Sequence, residues 1–151
     1  MPSDTMLPMV KIIEYAWEDA LSVGYHCIDL HHKKLLLIIK DFAALLKRPQ
    51  KEYSLNIGKV LKELSDYTQY HFFEEEKIIS KYKCPYFEQH SKIHAEFIKT
   101  INANLKDLAS GDMEAGIEFY NFLGKWLLQH IGQEDHEWSD YVHEHYPNEK
   151  F

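Results

Sequence analysis

Apolar residues recur at alternating spacings of three and four along most of this chain, and few prolines or glycines interrupt them. This spacing places the apolar side chains on one face of an α-helix. Breaks at Pro49, Pro85 and Gly111 divide the pattern into four predicted helices, at 24–47, 51–82, 86–109 and 112–132. Because the connections are short, consecutive helices are expected to run antiparallel. The sequence therefore predicts an all-α fold, an up-down-up-down antiparallel four-helix bundle.

The length of 151 residues suits one domain with a single core. Residues 1–20, which include Tyr15 and Trp17, are expected to form an N-terminal arm packed across the bundle. Residues 21–146 are expected to hold the bundle and a C-terminal extension. A short C-terminal helix is expected around 134–145.

Charge and hydropathy exclude several classes of partner. Seventeen basic residues against twenty-four acidic ones give a formal net charge of -7, whereas a nucleic acid or an anionic membrane favours a basic surface. The longest aliphatic run, at 35–39, is too short to span a bilayer, and the N-terminal segment lacks the features of a signal peptide. Cys27 and Cys84 form no metal or redox motif, so a reducing cytoplasm is the expected location.

Histidines fall on the apolar faces of all four predicted helices, together with one carboxylate. In an antiparallel bundle these positions lie toward the same end. A single histidine on an apolar face usually has a hydrogen-bond partner in the core, but five such residues are costly to desolvate unless something common satisfies them. A metal site satisfies them, because neutral imidazole is a good ligand and a cation offsets a buried carboxylate. The residues are His32, His71, Glu75, His90, His94 and His130.

The number of ligands indicates which metal the site holds. Imidazole suits zinc, copper, iron or nickel, and four ligands already saturate a tetrahedral zinc. Five histidines and at least two carboxylates are too many for one such ion. They fit better a pair of octahedral ions bridged by carboxylates, and two irons with open coordination for a small molecule fit best.

The order and spacing of these residues resemble the hemerythrin family. The pattern is His32, then His71-x-x-x-Glu75, then His90-x-x-x-His94, then His130-x-x-x-x-Asp135. The lead-in WEDALSVGYHCIDLHHKKL is also similar to the start of bacterial members, with Trp17, Asp29 and Leu35 matching. The resemblance covers nearly the whole chain.

The resemblance implies a role for each residue of the pattern. Glu75 and Asp135 would bridge two iron ions together with an oxo or hydroxo group. One iron would be held by His90, His94 and His130, and the other by His32 and His71 with one coordination position left open. Leu35, Trp126 and Ile131 are candidates for the apolar wall of an oxygen pocket, although ordinary core packing would also explain them.

The function implied by the resemblance is reversible binding of dioxygen by a non-heme di-iron protein that acts as a carrier, store or sensor. The alternative is a di-iron enzyme at the same site, such as an oxidase, a peroxidase or a nitric-oxide-handling protein. Di-iron enzymes rich in carboxylates present Glu-x-x-His motifs on paired helices, and this sequence contains none. The histidine-rich set therefore favours a binding protein over an enzyme. Protein partners cannot be read from the sequence.

Neighbouring residues compete for two of the assigned positions. Of His31 and His32, only His32 follows the apolar face, so His31 is predicted to be exposed. After His130, helical geometry favours Glu134, which lies four residues on along the same face, whereas Asp135 lies about 140° around an ideal helix. The hemerythrin pattern favours Asp135, which requires the backbone to distort near Gly132 or the carboxylate to reach around.

The remaining candidates are predicted to lie outside the site. Glu74 and Glu76 flank Glu75 on neighbouring faces of the helix and are predicted to be solvated, the alternative being that one of them contacts a metal ligand. The other histidines show no helical partner pattern and are predicted to be surface or tail residues: His26, His136, His143 and His145.

Overall fold

A computed structural model describes residues 11–151, and within that range it contains helices and no strand. Helix α1 packs against α2 and α4, and α3 packs against the same two helices, which gives a closed ring of four. The predicted all-α bundle is confirmed, and each predicted helix boundary lies within two residues of the observed one. None of the described helices has the length and hydropathy needed to cross a bilayer. The helices are α1 (His26–Leu46), α2 (Gln50–Lys81), α3 (Phe87–Ala109), α4 (Met113–Gly132) and a shorter α5 (Glu134–His145).

The connections α1–α2 and α3–α4 meet at one end of the bundle. The Gln50 side chain donates a hydrogen bond to the carbonyl of Gly111. Gly111 has φ +86°, and a Cβ there would lie 2.6 Å from the Ser54 hydroxyl oxygen, so only glycine fits this turn. The next residue, Asp112, accepts a hydrogen bond from Glu114 N at 3.0 Å and caps the start of α4.

The interior consists of two apolar clusters with a polar layer between them. The larger cluster, the main core, fills most of the bundle. The smaller one, the end cluster, lies where α5 packs and contains Val23, Tyr25, Ile28, Ile79, Tyr82, Cys84, Trp138 and Val142. Along α1, Ile28 belongs to the end cluster, His32 to the buried polar layer and Leu35 to the main core. The polar layer is therefore shielded by hydrocarbon on both sides.

The N-terminal arm packs along the bundle over the part of it that the structure describes. The rings of Tyr15 and Tyr120 have centroids 5.4 Å apart, and a Cβ on Gly124 would clash with the Tyr15 ring. The Lys33 ammonium lies 4.9 Å from the centre of the Trp17 ring. Residues 1–10 of the predicted arm lie outside the described residues.

Asp29 holds the segment that leads into α1. Its carboxylate accepts hydrogen bonds from the Ser22 hydroxyl and, at 2.9 Å, from Val23 N. The chain ahead of the helix is thereby fixed within one turn of His32. This structural role accounts for an aspartate in the lead-in motif.

Candidate metal centre

The seven residues of the predicted metal site lie together in the polar layer, and none of their side chains is more than 2% exposed. They form two groups that share Glu75 and Asp135, and within each group one possible ligand atom per residue lies within 4.8 Å of all the others. The first group, the three-histidine position, contains three histidines in addition to the two carboxylates. The second adds two and is called the two-histidine position. Their histidines are His90, His94 and His130 in the first, and His32 and His71 in the second.

Glu75 lies between the two positions and turns one carboxylate oxygen toward each. Its Oε1 is 2.5 Å from His90 Nε2 and 3.1 Å from His94 Nε2. Its Oε2 is 3.3 Å from His71 Nε2 and 3.5 Å from His32 Nε2. One carboxylate can therefore serve two cations at once.

Asp135 divides its oxygens in the same way. Its Oδ1 is 3.2 Å from both His90 Nε2 and His130 Nε2, and its Oδ2 is 3.1 Å from His32 Nε2. The two carboxylates thus face the same pair of positions from different helices.

A break between α4 and α5 brings Asp135 into the site. Gln133, with φ −120° and ψ −71°, separates the two helices. The backbone is therefore distorted here, and the residue outside the helix is Gln133 and not Gly132. A Cβ on Gly132 would meet only a Leu21 methyl carbon at 4.0 Å, so no close approach requires glycine.

Among residues 11–151, several buried ligand atoms lie close together without a hydrogen-bond partner. Within the described residues, the buried atoms His32 Nε2, His71 Nε2 and Glu75 Oε2 have no hydrogen-bond partner, although ion-pair contacts of 3.1–3.5 Å surround them. Both oxygens of Asp135 share this property. The Nε2 atoms of His94 and His130 are 3.0 Å apart, and two ligands at about 2.1 Å from one ion and at right angles to each other would be about 3 Å apart. The donor set therefore fits two bound cations.

The charges of the site also suit cations. Burial lowers the pKa of His32, but Asp135 and Glu75 more than offset this and raise it to about 9. The same opposition raises the pKa of His90 to about 9 and that of His130 to about 10. A cation requires unprotonated imidazole, so bound ions would replace these protons as the positive charge.

The surroundings favour the charged form of both carboxylates and the neutral form of one imidazole. Burial raises the pKa of Glu75, but His71 and other histidines lower it well below its usual value. Burial and Glu75 raise the pKa of Asp135, yet contacts with histidines such as His130 bring it to about 2. Burial lowers the pKa of His71 to about 4 even though Glu75 opposes this. His71 is therefore already in the form that binds a metal.

The prediction that His31 is exposed was wrong. His31 is only 9% exposed, and its Nδ1 lies 3.0 Å from Nδ1 of His71. The rings of Tyr67 and Tyr70 from α2 lie against it, with centroids 6.0 and 5.4 Å away. The apolar face of α1 alone did not predict that His31 is buried, because the two tyrosines that cover it belong to α2.

The prediction that Glu76 is solvated was also wrong. Its Oε2 lies 3.1 Å from Nδ1 of His94. Burial raises the pKa of the Glu76 carboxyl, but the contact with His94 lowers it overall. Glu134 makes the equivalent contact, 3.2 Å from Nδ1 of His130. Glu74 instead pairs with Lys77 at 2.8 Å, away from the site histidines.

The three residues predicted to form the apolar wall of an oxygen pocket lie in the main core or against a site histidine. Leu35 and Ile131 are buried in the main core, while half-buried Trp126 stacks on the ring of His130 at 4.7 Å. Trp126 thus flanks the three-histidine position.

The four histidines predicted at the surface differ in exposure. His26 and His145 are exposed, as predicted. His143 is also exposed, yet its ring stacks on Tyr25 at 4.4 Å. His136 is half-buried, contrary to prediction.

Comparison with known proteins gives one consistent result. The family described as "Hemerythrin HHE cation binding domain" matches residues 23–142. A bacteriohemerythrin of Pseudomonas paraeruginosa is 33% identical over 128 residues, covering 83% of this chain and 80% of the relative. One from Stenotrophomonas maltophilia is 27% identical over 129 residues, covering 85% and 82%. A myohemerythrin of Riftia pachyptila is 28% identical over 117 residues, covering 78% and 84%.

Proposed function

Because this chain belongs to the hemerythrin family, we propose that it is a non-heme di-iron protein that binds dioxygen reversibly. The histidines of the three-histidine position would hold one iron, and His32 and His71 would hold the other and leave room for a small molecule. Glu75 and Asp135, each with one oxygen toward either position, would hold both ions together with an oxo or hydroxo group. The observation that carries this proposal is that each carboxylate turns one oxygen toward each position.

When bound, a pair of reduced iron ions would supply the electrons for reversible dioxygen binding. The protein supplies anionic charge between the cations through Glu75 and Asp135, and imidazole ligands that add none. The apolar clusters on either side keep water and protons away from the bound gas. Leu35 and Ile131, next to the site in sequence and fully buried, are proposed to line the oxygen pocket, with Trp126 covering His130.

The proposal favours a carrier, store or sensor over an enzyme. Of the seven side chains in the two positions, five are histidines and two are carboxylates, and the Glu-x-x-His motif of carboxylate-rich di-iron enzymes is absent from the sequence. The alternative is an oxidase, peroxidase or nitric-oxide-handling protein at the same site. Absorption spectra under oxygen distinguish such an enzyme from an oxygen-binding protein.

Iron analysis and one spectrum test the proposal. The purified protein should hold about two irons per chain, as a carboxylate-bridged pair requires. The reduced protein should develop a visible charge-transfer band under oxygen and lose it when the oxygen is removed. Irreversible bleaching with release of peroxide would favour the enzyme, and one zinc without iron after growth in iron-replete medium would refute the di-iron site.

A further inference from the structure

The site histidines differ in what their outer ring nitrogens contact. Each of the five rings turns Nε2 toward the shared carboxylates, so Nδ1 faces away and carries the ring proton when Nε2 binds a cation. In the three-histidine position, His94 Nδ1 lies 3.1 Å from Glu76 and His130 Nδ1 lies 3.2 Å from Glu134. Two of these three histidines therefore donate to a carboxylate.

Among the described residues, the two-histidine position lacks such carboxylates. His71 Nδ1 lies 3.0 Å from His31 Nδ1, and buried His32 Nδ1 has no hydrogen-bond partner among residues 11–151. When His71 donates its Nδ1 proton, His31 Nδ1 must accept it with a free lone pair. His31 is then a neutral partner that orients the His71 ring without adding negative charge.

We propose that Glu76, Glu134 and His31 are positioning residues that make the two positions unequal for divalent cations, an inference that rests on the proposed function. A carboxylate on the outer N–H makes the imidazole a stronger ligand and adds negative charge near the ion. The three-histidine position therefore fills first and holds its ion more tightly. The two-histidine position, where dioxygen would bind, keeps the weaker ligand field.

Cobalt(II) titration of the metal-stripped 151-residue chain, followed by visible absorption, tests the carboxylate partners. Two binding steps are expected. Glu76→Gln and Glu134→Gln keep a hydrogen-bond acceptor but remove the charge, and each should weaken the first step by about tenfold or more. The second step should change much less, because its histidines do not contact these carboxylates.

Matched controls come from the same helices. Glu74 on α2 pairs with Lys77, and Glu137 in the first turn of α5 is exposed. Glu74→Gln and Glu137→Gln should leave the first step unchanged. If they weaken the first step as much as the variants at 76 and 134 do, a general loss of negative charge explains the effect and the inference is overturned.

Variants of His31 test the neutral partner. His31→Gln retains an acceptor for His71 and should preserve the second step. His31→Leu leaves the buried N–H without an acceptor and should weaken that step by about tenfold. His31→Glu should increase the affinity of the second step and reduce the difference in affinity between the two steps. Equal weakening by Gln and Leu would show that His31 only fills space.

The outcomes separate this inference from the proposed function. A chain that takes up no cobalt(II), or a single ion, contradicts the two-ion site itself. Uptake of two ions with indistinguishable affinities in the parent chain and in the variants at 76 and 134 overturns only the inference. As a second readout, ring N–H protons of cobalt-bound histidines give shifted, exchangeable proton resonances, and that of His94 should move in Glu76→Gln and not in Glu74→Gln.

Discussion

Glu75 approaches the ring nitrogens of all five site histidines, from 2.5 Å for His90 to 3.9 Å for His130. Glu75→Gln preserves the shape of the side chain and removes its charge, which leaves two cations with less compensation in a buried site. We expect the variant to retain well under two irons per chain and to lose the reversible oxygen band. Iron analysis and absorption spectra of the reduced and oxygenated protein measure both effects.

Glu74→Gln is the control for this change, because Glu74 pairs with Lys77 and contacts no site histidine. It should keep both the iron and the band. Loss of the band in Glu74→Gln but not in Glu75→Gln would mean that the wrong carboxylate of α2 has been assigned as the bridge.

The sequence predicted the residues that face the centre better than those behind them. His71 and Glu75 share one face of α2 through their i, i+4 spacing, so their convergence follows from helix geometry. The contacts of His31 and Glu76 depend on side-chain torsions and on cover from other helices, including the ring of Tyr70 and the position of His94. Spacing along one helix does not encode these contacts.

At the scale of elements, the break between α4 and α5 shows what the sequence could and could not predict. An unbroken helix would place Glu134, and not Asp135, on the face of His130, so some distortion was required. Which residue departs from the helix is decided by tertiary packing. Trp138 is fully buried in the end cluster, and we expect its packing to fix the direction of α5 after Gln133.

Truncating Trp138 tests whether α5 holds Asp135 in place. Trp138→Ala removes a fully buried aromatic side chain and should lower the free energy of unfolding by about 3–5 kcal/mol. It should also weaken iron retention, because Asp135 begins the turn of α5 that precedes Trp138. Thermal unfolding followed by circular dichroism and iron release to a chelator measure the two effects.

Asp140→Ala, an exposed change on the same helix, should alter neither property. A Trp138→Ala protein that is destabilised yet releases iron at the parent rate would show that Asp135 is positioned independently of the end cluster.

For the molecule as a whole, the charged layer between two apolar clusters should make stability depend on bound metal. Without metal, protonated His32, His90 and His130 balance the carboxylates. Their pKa values are raised to about 9, 9 and 10, so this stabilisation is complete below about pH 6.5, the ordinary histidine value, and is lost as pH rises through 9 to 10. Metal-bound imidazoles carry no such proton.

Removing the metal should therefore lower Tm, and the difference between the metal-free and metal-loaded protein should widen from pH 7 to pH 10. Glu75 and Asp135, whose pKa values are depressed, lose their contribution only in acid and do not enter this window. Differential scanning calorimetry of both forms across the range is the measurement. Parallel decline of the two Tm values would show that titration elsewhere controls alkaline stability.

Asp135 Oδ2 and His32 Nε2 are 3.1 Å apart, although about 100 residues of chain separate them. Ions bound between them would act as a reversible cross-link. In a chain-entropy description, a permanent link closing a loop of that length raises the free energy of the unfolded state by ~4–5 kcal/mol. Such distant ligands come together only after long-range contacts form. Bound iron should thus slow unfolding in stopped-flow experiments, whereas refolding should proceed at the same rate with and without added iron. The ions would then lock the chain after it has folded and take no part in the folding nucleus.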